Sequence, residues 1–450
     1  MRSSRETKVL GKITYVIITL LTLSFLCGCN ISQKDLFEKP DRVVSDTAKP
    51  AAKPAAISVI DINGDVHEAE VSVIDESESE DDTSSALPER TLAEVAQNMS
   101  LSDDSNFAYS ELSESGRVCY REIYAVLNDM LEKVELSSRD SDEIDLAFRA
   151  VMVDHPEIFY VKGYSLGKYV KGSEIRKIVF SGTYTMSHDE VIKNRAYVDD
   201  YVSRIVRDAP SGGDYEKIKY VYDRLIRENE YVPDSENNQN ILSVVKNGKT
   251  VCQGYTKAMQ LILTRMGIFC TLVNGKACGR NGVPDAEELK NAQNAEWGGH
   301  VWNIVRCNGL YYNVDVTWGD AAITLMNMDG TVAQGIDVNY EFFLVDDSSL
   351  TATHDPEPVV TMPRCISTED NYYRHEGVYF ERVDDDQLAA AFERAYSSGD
   401  MHVFLKASDS YVYDELERYL FEQQRIFSFL GSTNVRYVEF PERNLLMISL

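Results

Sequence analysis

The chain has 450 residues, a hydrophobic fraction of 44% and a formal net charge of -28 at pH 7. Its length and apolar content allow two or three domains with buried cores, and they exclude a wholly disordered protein. The acidic balance, without any cluster of lysines and arginines, argues against a partner bound through a nucleic-acid backbone.

The first segment, residues 1–29, has the pattern of a targeting sequence. Four basic residues precede the apolar run 13–26, which is shorter than a comfortable transmembrane helix and typical of a signal peptide. Leu26-Cys27-Gly28-Cys29 follows and resembles the lipobox of bacterial lipoproteins. This resemblance implies cleavage before Cys29, lipidation of its thiol and an extracytoplasmic location on the bacterial cell membrane. An uncleaved anchor or a plain secretory signal is the alternative.

Residues 30–106 have the composition of a tether. An Ala/Pro/Lys stretch is followed by the acidic, serine-containing run 75–82, which cannot bury enough apolar surface to offset chain entropy. We expect this segment to be disordered and to hold the folded part away from the membrane. The alternating pieces 57–62 and 71–74 could pair transiently, but a flexible linker is favoured.

Residues 107–212 predict an extension of helices and a hairpin. Apolar spacing indicates helices over 120–134 and 144–151, the second ending before His155-Pro156. Alternation indicates a hairpin of 164–169 with 175–184. Ser187 and Glu190 have capping-box spacing and open a third helix.

The final segment, residues 356–450, predicts a small α/β domain of unknown role. Alternation and helical spacing indicate a strand at 378–380, a helix at 385–396, a strand at 402–406, a helix at 411–427 and a hairpin of 435–440 with 445–450.

The central segment, residues 213–355, carries the chemistry. A helix over 214–229 leads to a turn at 248–251, after which Cys252 opens a helix that ends at Gly267. Unpaired amides and the dipole at a helix N-terminus stabilise a thiolate. Cys252 is therefore a candidate nucleophile, although a cysteine in an apolar helix is usually a core residue.

A hairpin downstream supplies a candidate base. Asn308-Gly309 joins two alternating segments, and pairing Cys307 with Leu310 makes His300 and Asp315 diagonal neighbours on one face. The carboxylate of Asp315 could then hold the imidazole of His300 in one tautomer.

Three motifs, Val-Cys-Gln-Gly-Tyr, His-Val-Trp-Asn and Asn-Val-Asp-Val-Thr-Trp, resemble the bacterial transglutaminase-like superfamily. The resemblance implies an α+β, papain-like core in which a helix with the cysteine packs on an antiparallel sheet with the histidine and the aspartate. It also implies catalytic roles for Cys252, His300 and Asp315. Gln239 is a candidate oxyanion donor beside the Cys252 amide, and neighbouring amides are alternatives. Trp302 is expected to wall the cleft, with the segment 279–299 as a loop beside it.

These features predict an extracytoplasmic amide hydrolase or acyl transferase that acts on protein or peptide substrates, with no cofactor and no metal site. Hydrolysis is favoured over crosslinking, and cell-envelope or external peptides are the expected substrates. The alternative is a surface binding module that keeps the fold without turnover. The remaining cysteines are expected to be structural; their spacing permits a Cys270–Cys278 disulfide but does not favour it. His354 is expected in a turn and His155 at a helix end.

The anchor can be tested by replacing Cys29 with alanine. Because the lipid chain would be attached to that thiol, Cys29→Ala is expected to move the protein from the membrane fraction to the soluble fraction after cell lysis. Cys27→Ala is the matched control and should stay with the membrane. Unchanged membrane retention of Cys29→Ala would contradict lipidation.

Overall fold

The computed structural model describes residues 106–171, 173–278, 297–320 and 338–450, together with the backbone of four short strands between residues 57 and 86. Cys29, the leader and most of the predicted tether lie outside the described residues, as do residues 279–296 of the predicted loop.

Helices account for much of the described chain. They are Phe107–Ser110 (α1), Glu114–Asn128 (α2), Ser141–Asp154 (α3), His188–Asp208 (α4), Asp214–Glu228 (α5), Cys252–Arg265 (α6), Val316–Gly319 (α7), Asp347–Leu350 (α8), Tyr372–His375 (α9), Asp385–Ser398 (α10) and Ser410–Glu417 (α11), with π-helical turns at Ser243–Asn247 and Arg418–Glu422 and 3-10 turns at Arg425–Ser428 and Pro441–Arg443.

The strands form several separate sheets. They are Ile57–Ile60 (β1), Val66–Ala69 (β2), Val71–Asp75 (β3), Ser85–Ala86 (β4), Val134–Leu136 (β5), Val161–Lys171 (β6), Glu174–Tyr184 (β7), Glu230–Tyr231 (β8), Lys249–Thr250 (β9), Cys270–Cys278 (β10), Trp297–Cys307 (β11), Leu310–Val314 (β12), His354–Pro356 (β13), Tyr379–Phe380 (β14), His402–Ala407 (β15), Arg436–Phe440 (β16) and Leu445–Ser449 (β17).

The N-terminal extension contains a five-stranded sheet in the order β3-β6-β7-β5-β4. The predicted hairpin is β6 with β7, and Ser187 forms both halves of the predicted capping box on α4. The helix expected over 120–134 ends earlier, at Asn128, and Val134 lies in β5. Met130 and Lys133 adopt φ values of 52° and 53°, which break the helix between these elements.

The expectation of a wholly disordered tether differs from the structure at β1 to β4. β1 pairs with β2, β3 pairs in parallel with β6, and β4 pairs in parallel with β5. The β-branched residues of 57–60 and 71–74 favour extended backbone, and the edges of β6 and β5 offer unpaired N–H and C=O groups to such segments.

The central sheet has the order β12-β11-β10-β13 and is antiparallel throughout. The hairpin register is the predicted one, with Cys307 opposite Leu310 and Asn303 opposite Val314. Asn308 and Gly309 have φ values of 50° and 85°, as a type I′ turn requires. Trp297 to Gly299, which were expected in the loop, extend β11 and pair with the end of β10.

A single apolar core runs from Ala108 to Leu344, so the N-terminal extension and the central segment share it. The C-terminal segment has its own core, from Tyr373 to Ile448, around the mixed sheet β14-β15-β17-β16. The helices and sheets confirm the predicted α+β class. Among the described residues, no helix is long and apolar enough to cross a membrane.

The start of α6 depends on a close approach at Gly254. A Cβ on this residue would lie 1.8 Å from Thr250 Oγ1 and 2.8 Å from Ser243 Oγ, two hydroxyls that hydrogen-bond each other at 2.6 Å. The π-helical turn and β9 are therefore packed directly against the first turn of α6.

Replacing Gly254 with alanine should lower the free energy of unfolding. Alanine is better than glycine in a helix by about 1 kcal/mol, but the clash should outweigh this and leave a net loss of about 2 kcal/mol. The measurement is urea unfolding followed by circular dichroism. Gly163→Ala is the control, because its Cβ would meet no atom within 4 Å. Equal midpoints for the two variants would contradict the packing described.

Candidate active site

Cys252 is the first residue of α6 and is partly exposed. Its amide lies at the open end of the helix, where backbone N–H groups have no intrahelical acceptor and an anion is stabilised. The other five described cysteines are buried. Burial raises the pKa of the thiols of Cys119, Cys270, Cys307 and Cys365 far above their usual range. Cys252 is thus the described thiol best placed to react.

Two hydrogen bonds fix α6 on strand β11. Thr256 Oγ1 donates to the carbonyl oxygen of Val301 at 3.2 Å, and Asn303 Nδ2 donates to the carbonyl oxygen of Thr256 at 3.2 Å. Thr256 lies one helical turn after Cys252, and Val301 follows His300. These contacts therefore set the height of the thiol relative to the imidazole.

His300 lies between Cys252 and Asp315. Its Nε2 donates to Asp315 Oδ2 at 2.6 Å, and Cys252 lies close enough to contribute to the raised pKa of the imidazole. Because Nε2 is occupied by Asp315, Nδ1 is the ring nitrogen left for the sulfur. The structure brings together the three residues that the sequence singled out.

Asp315 is held by groups from several directions. β12 ends at Val314, so the ladder stops one pair before the Trp302–Asp315 pair, and Asp315 becomes the N-cap of α7. Its Oδ1 accepts the amide of Trp318 at 3.0 Å, and its own amide donates to the carbonyl oxygen of Phe342 at 3.0 Å. The hydroxyl of Tyr222 lies 3.3 Å from its carbonyl oxygen. The side chain is consequently buried without an unsatisfied oxygen.

The electrostatics favour an ionised pair. Burial opposes a charge on His300, but Asp315, with a smaller contribution from Cys252, raises the pKa of the imidazole to about 10. Burial likewise opposes a charge on Asp315, yet His300 and His354 hold the pKa of this carboxyl well below its usual range. The carboxylate and an imidazolium thus stabilise each other in a region from which water is largely excluded.

His354 was expected in a turn, but it lies in a strand next to Asp315. It begins β13, opposite Ala277 of β10, and only 1% of it is exposed. Its Nε2 lies 3.1 Å from Asp315 Oδ2, the oxygen that also accepts from His300. The turn prediction was wrong because the Asp-Pro that follows His354 suggests a turn locally, whereas the pairing with β10 is long-range. No local pattern links positions 315 and 354.

Trp302 and Gln239, the two remaining candidate site residues, differ in their burial and in their contacts. Trp302 is buried behind the histidines, with its ring centroid 6.3 Å from that of His300, and its Nε1 donates to Asn313 Oδ1 at 3.1 Å. Trp302 therefore packs against the buried side of the histidine rings. Gln239 is exposed, and its carbonyl oxygen accepts from Lys257 Nζ of α6 at 3.1 Å. Its backbone is tied to the cysteine helix, while its role as an oxyanion donor stays a prediction.

Within the described ranges, His300, Asp315 and His354 have donor atoms close enough to share a metal ion, all within 4.8 Å of one another. Two imidazoles and a carboxylate are ligand types that suit zinc. Hydrogen bonding accounts for the same contacts, because both imidazoles direct Nε2 at one carboxylate oxygen at hydrogen-bond distance.

The order and geometry of these residues agree with a known family. Residues 199–316 match the transglutaminase-like superfamily. This segment is a transglutaminase-like domain. The predicted family resemblance and the predicted core, a cysteine helix packed on an antiparallel sheet, are confirmed. No curated protein matches the chain.

The solved structures to which the chain is similar share little sequence with it. A transglutaminase is 13% identical over 41% of this chain and 50% of its own, with a TM-score of 0.23. The periplasmic domain of TgpA from Pseudomonas aeruginosa is 16% identical over 32% and 55%, with a TM-score of 0.21. The arylamine N-acetyltransferase (BACCR)NAT3 from Bacillus cereus is 15% identical over 26% and 48%, with a TM-score of 0.18. The chain thus spans about half of the length of each.

The charged pair predicts a pH-dependent stability. The raised pKa of His300 gives stability that is complete below about pH 6.5 and is lost as the pH rises through about 10. The lowered pKa of Asp315 gives stability that is complete above about pH 4 and is lost in acid.

Asp315→Asn should therefore lower the free energy of unfolding by about 3 kcal/mol at pH 6, where His300 and Asp315 form an ion pair. The loss should be clearly smaller at pH 10.5, because His300 of the wild type has then given up its proton and the ion pair is already lost. Urea unfolding at both pH values measures this. Asp200→Asn removes an exposed carboxylate on α4 and serves as the control. A loss that is the same at both pH values would argue against the ion pair.

Proposed function

We propose that this protein is a cysteine-dependent enzyme of acyl transfer at amides, and that hydrolysis of protein or peptide substrates is its main activity. The observation that carries the proposal is that His300 hydrogen-bonds Asp315 and interacts with Cys252, whose sulfur lies at the start of a helix. A nucleophile, a base and a group that orients the base are the requirements of such chemistry.

The reaction would proceed in two steps. The Cys252 thiolate attacks the amide carbonyl carbon, and the C–N bond breaks as His300 gives a proton to the departing amine, leaving a thioester. Water then attacks the thioester, with His300 taking its proton, and the carboxylate product and the thiol are released. Asp315 keeps the imidazole in place and stabilises its charged form.

The oxyanion that forms during both steps needs hydrogen-bond donors. The amide of Cys252 is a suitable donor, since it lies at the N-terminus of α6. Gln239 is the second candidate. Its backbone position beside α6 supports this, because the Lys257 ammonium that holds its carbonyl belongs to the same helix as Cys252.

The proposed location of the protein indicates which substrates it would meet. The lipobox-like sequence at Cys29 supports an enzyme anchored on the outside of the cell membrane, where peptides of the cell envelope and external proteins are within reach. Water is always present there, which favours hydrolysis over transfer to an amine. An amine acceptor at the same thioester would instead give a crosslink.

Labelling of the full-length protein with iodoacetamide at neutral pH tests the proposal. We expect Cys252 to react at least about tenfold faster in the wild type than in His300→Ala, because His300 stabilises the thiolate. Peptide mass mapping identifies the modified cysteine, and the buried Cys278 provides an internal control. Equal labelling rates at Cys252 would favour a binding module that keeps the fold without turnover.

Turnover requires a second measurement on the same protein. Digestion of an unbiased peptide library is expected to show cleavage that Cys252→Ser reduces by about 10³-fold or more. Cys119→Ser replaces a buried thiol on α2, remote in sequence from the site, and should retain activity. Labelling without any cleavage or amine transfer would leave an activated thiol but contradict the proposed hydrolysis.

A further inference from the structure

We infer that His354 is a positioning residue for the proposed reaction and that the site is a series of four side chains, Cys252–His300–Asp315–His354. This inference rests on the proposed function and extends it by one residue. Its basis is that one oxygen, Asp315 Oδ2, accepts from His300 Nε2 at 2.6 Å and from His354 Nε2 at 3.1 Å.

His354 is held in one tautomer. An ionised carboxylate only accepts hydrogen bonds, so the contact with Asp315 requires a proton on His354 Nε2. Burial lowers the pKa of His354 below its ordinary value in spite of Asp315, so the ring is neutral and its Nδ1 carries a lone pair. Thr353 Oγ1 lies 2.8 Å from that Nδ1 and 3.3 Å from the carbonyl oxygen of Leu350, so its one hydroxyl proton lies between two acceptors. The tautomer of His354 is therefore set by Asp315, and Thr353 Oγ1 is the polar contact of the other ring nitrogen.

The ring of His354 has no freedom to turn away. Its centroid lies 4.4 Å from that of Trp318, 5.1 Å from that of Trp302 and 5.4 Å from that of Phe342. The side chain has no exposed surface. A substrate cannot touch it, and its effect must pass through Asp315.

Two consequences follow for His300. A carboxylate oxygen shared by two N–H donors is a weaker partner for each, so His354 limits how strongly Asp315 stabilises the imidazolium. The second donor also holds Oδ2 against rotation, while the Trp318 amide holds Oδ1. His354 therefore keeps the proton on His300 transferable and fixes the ring toward Cys252.

The two tyrosines next to the pair keep their protons over the range of the alkaline step. Burial raises the pKa of Tyr222 far above its usual range and that of Tyr231 to about 12. Several titratable groups on neighbouring elements face His300, Asp315 and His354. The helices contribute Cys252 and Tyr255 from α6, Tyr222 from α5 and Asp320 after α7. The strands contribute Tyr231 from β8, Asp355 from β13 and the exposed ion pair Lys276–Glu357 beside β10 and β13.

The test is the rate of Cys252 alkylation by iodoacetamide in the full-length protein, measured from pH 4 to 11. His354→Phe fills the ring space without a donor, and it should move the alkaline step, which reports loss of the His300 proton, upward by about one pH unit. His354→Gln restores an N–H donor and should return the step to within about 0.3 unit of the wild type.

A third, milder variant keeps the test informative if His354→Phe does not fold. Thr353→Val keeps the imidazole but removes the hydroxyl that contacts its Nδ1 and holds the ring in place, so the alkaline step should also move upward, by less than in His354→Phe. Where peptide cleavage is measurable, kcat should fall while KM stays within about twofold, because no substrate contact is lost. An unmoved step in both His354→Phe and Thr353→Val, with changes in stability alone, would overturn the inference.

Two controls distinguish a positioning role of His354 from metal binding and from an unactivated thiol. If wild-type activity falls with EDTA and returns with Zn²⁺, the three donors act as metal ligands and the positioning role is overturned. If the wild type itself reacts like an ordinary thiol and His300→Ala changes nothing, the proposed function fails. If the wild type is activated and the His354 variants match it, only the role of His354 fails.

Discussion

The site depends on one buried carboxylate. Burying an unpaired Asp315 would cost several kcal/mol, so the fold has to surround it with donors before it can be buried at all. Those donors come from β11, β13 and the first turn of α7, at 2.6, 3.1 and 3.0 Å. Satisfying the charge therefore requires that these elements, which are distant in sequence, be assembled correctly. The same requirement orients His300.

The thiol side of the site is built on different contacts. The position of Cys252 is set by two features of α6. The start of the helix is closely packed, so that a side chain on Gly254 would overlap Thr250. One turn later, Thr256 is hydrogen-bonded to β11. Sulfur and imidazole thus lie on regular elements joined by buried hydrogen bonds. Such a support holds a nucleophile and a base in fixed geometry better than loops would.

Local signals explain what the sequence predicted. Asn308-Gly309 encodes a type I′ turn, which sets the β11–β12 register and places His300 near Asp315. The change from a turn to helical spacing marks the start of α6 at Cys252. His354 was missed because a three-residue strand carries no periodicity, and its contact with Asp315 spans 39 positions. The early end of α2 and the parallel pairing of β3 likewise depend on partners that lie far away in the chain.

The C-terminal domain packs against the core close to β13. Arg443 pairs with Glu341 at 3.0 Å, and the hydroxyl of Tyr215 on α5 donates to Glu376 at 3.0 Å. Between this domain and the core lies a cavity of about 380 Å³ whose walls include Thr353. Thr353, whose hydroxyl contacts His354 Nδ1, therefore faces the junction of the two parts. The contacts between this domain and the core thus lie next to β13, the strand whose His354 hydrogen-bonds the Asp315 carboxylate.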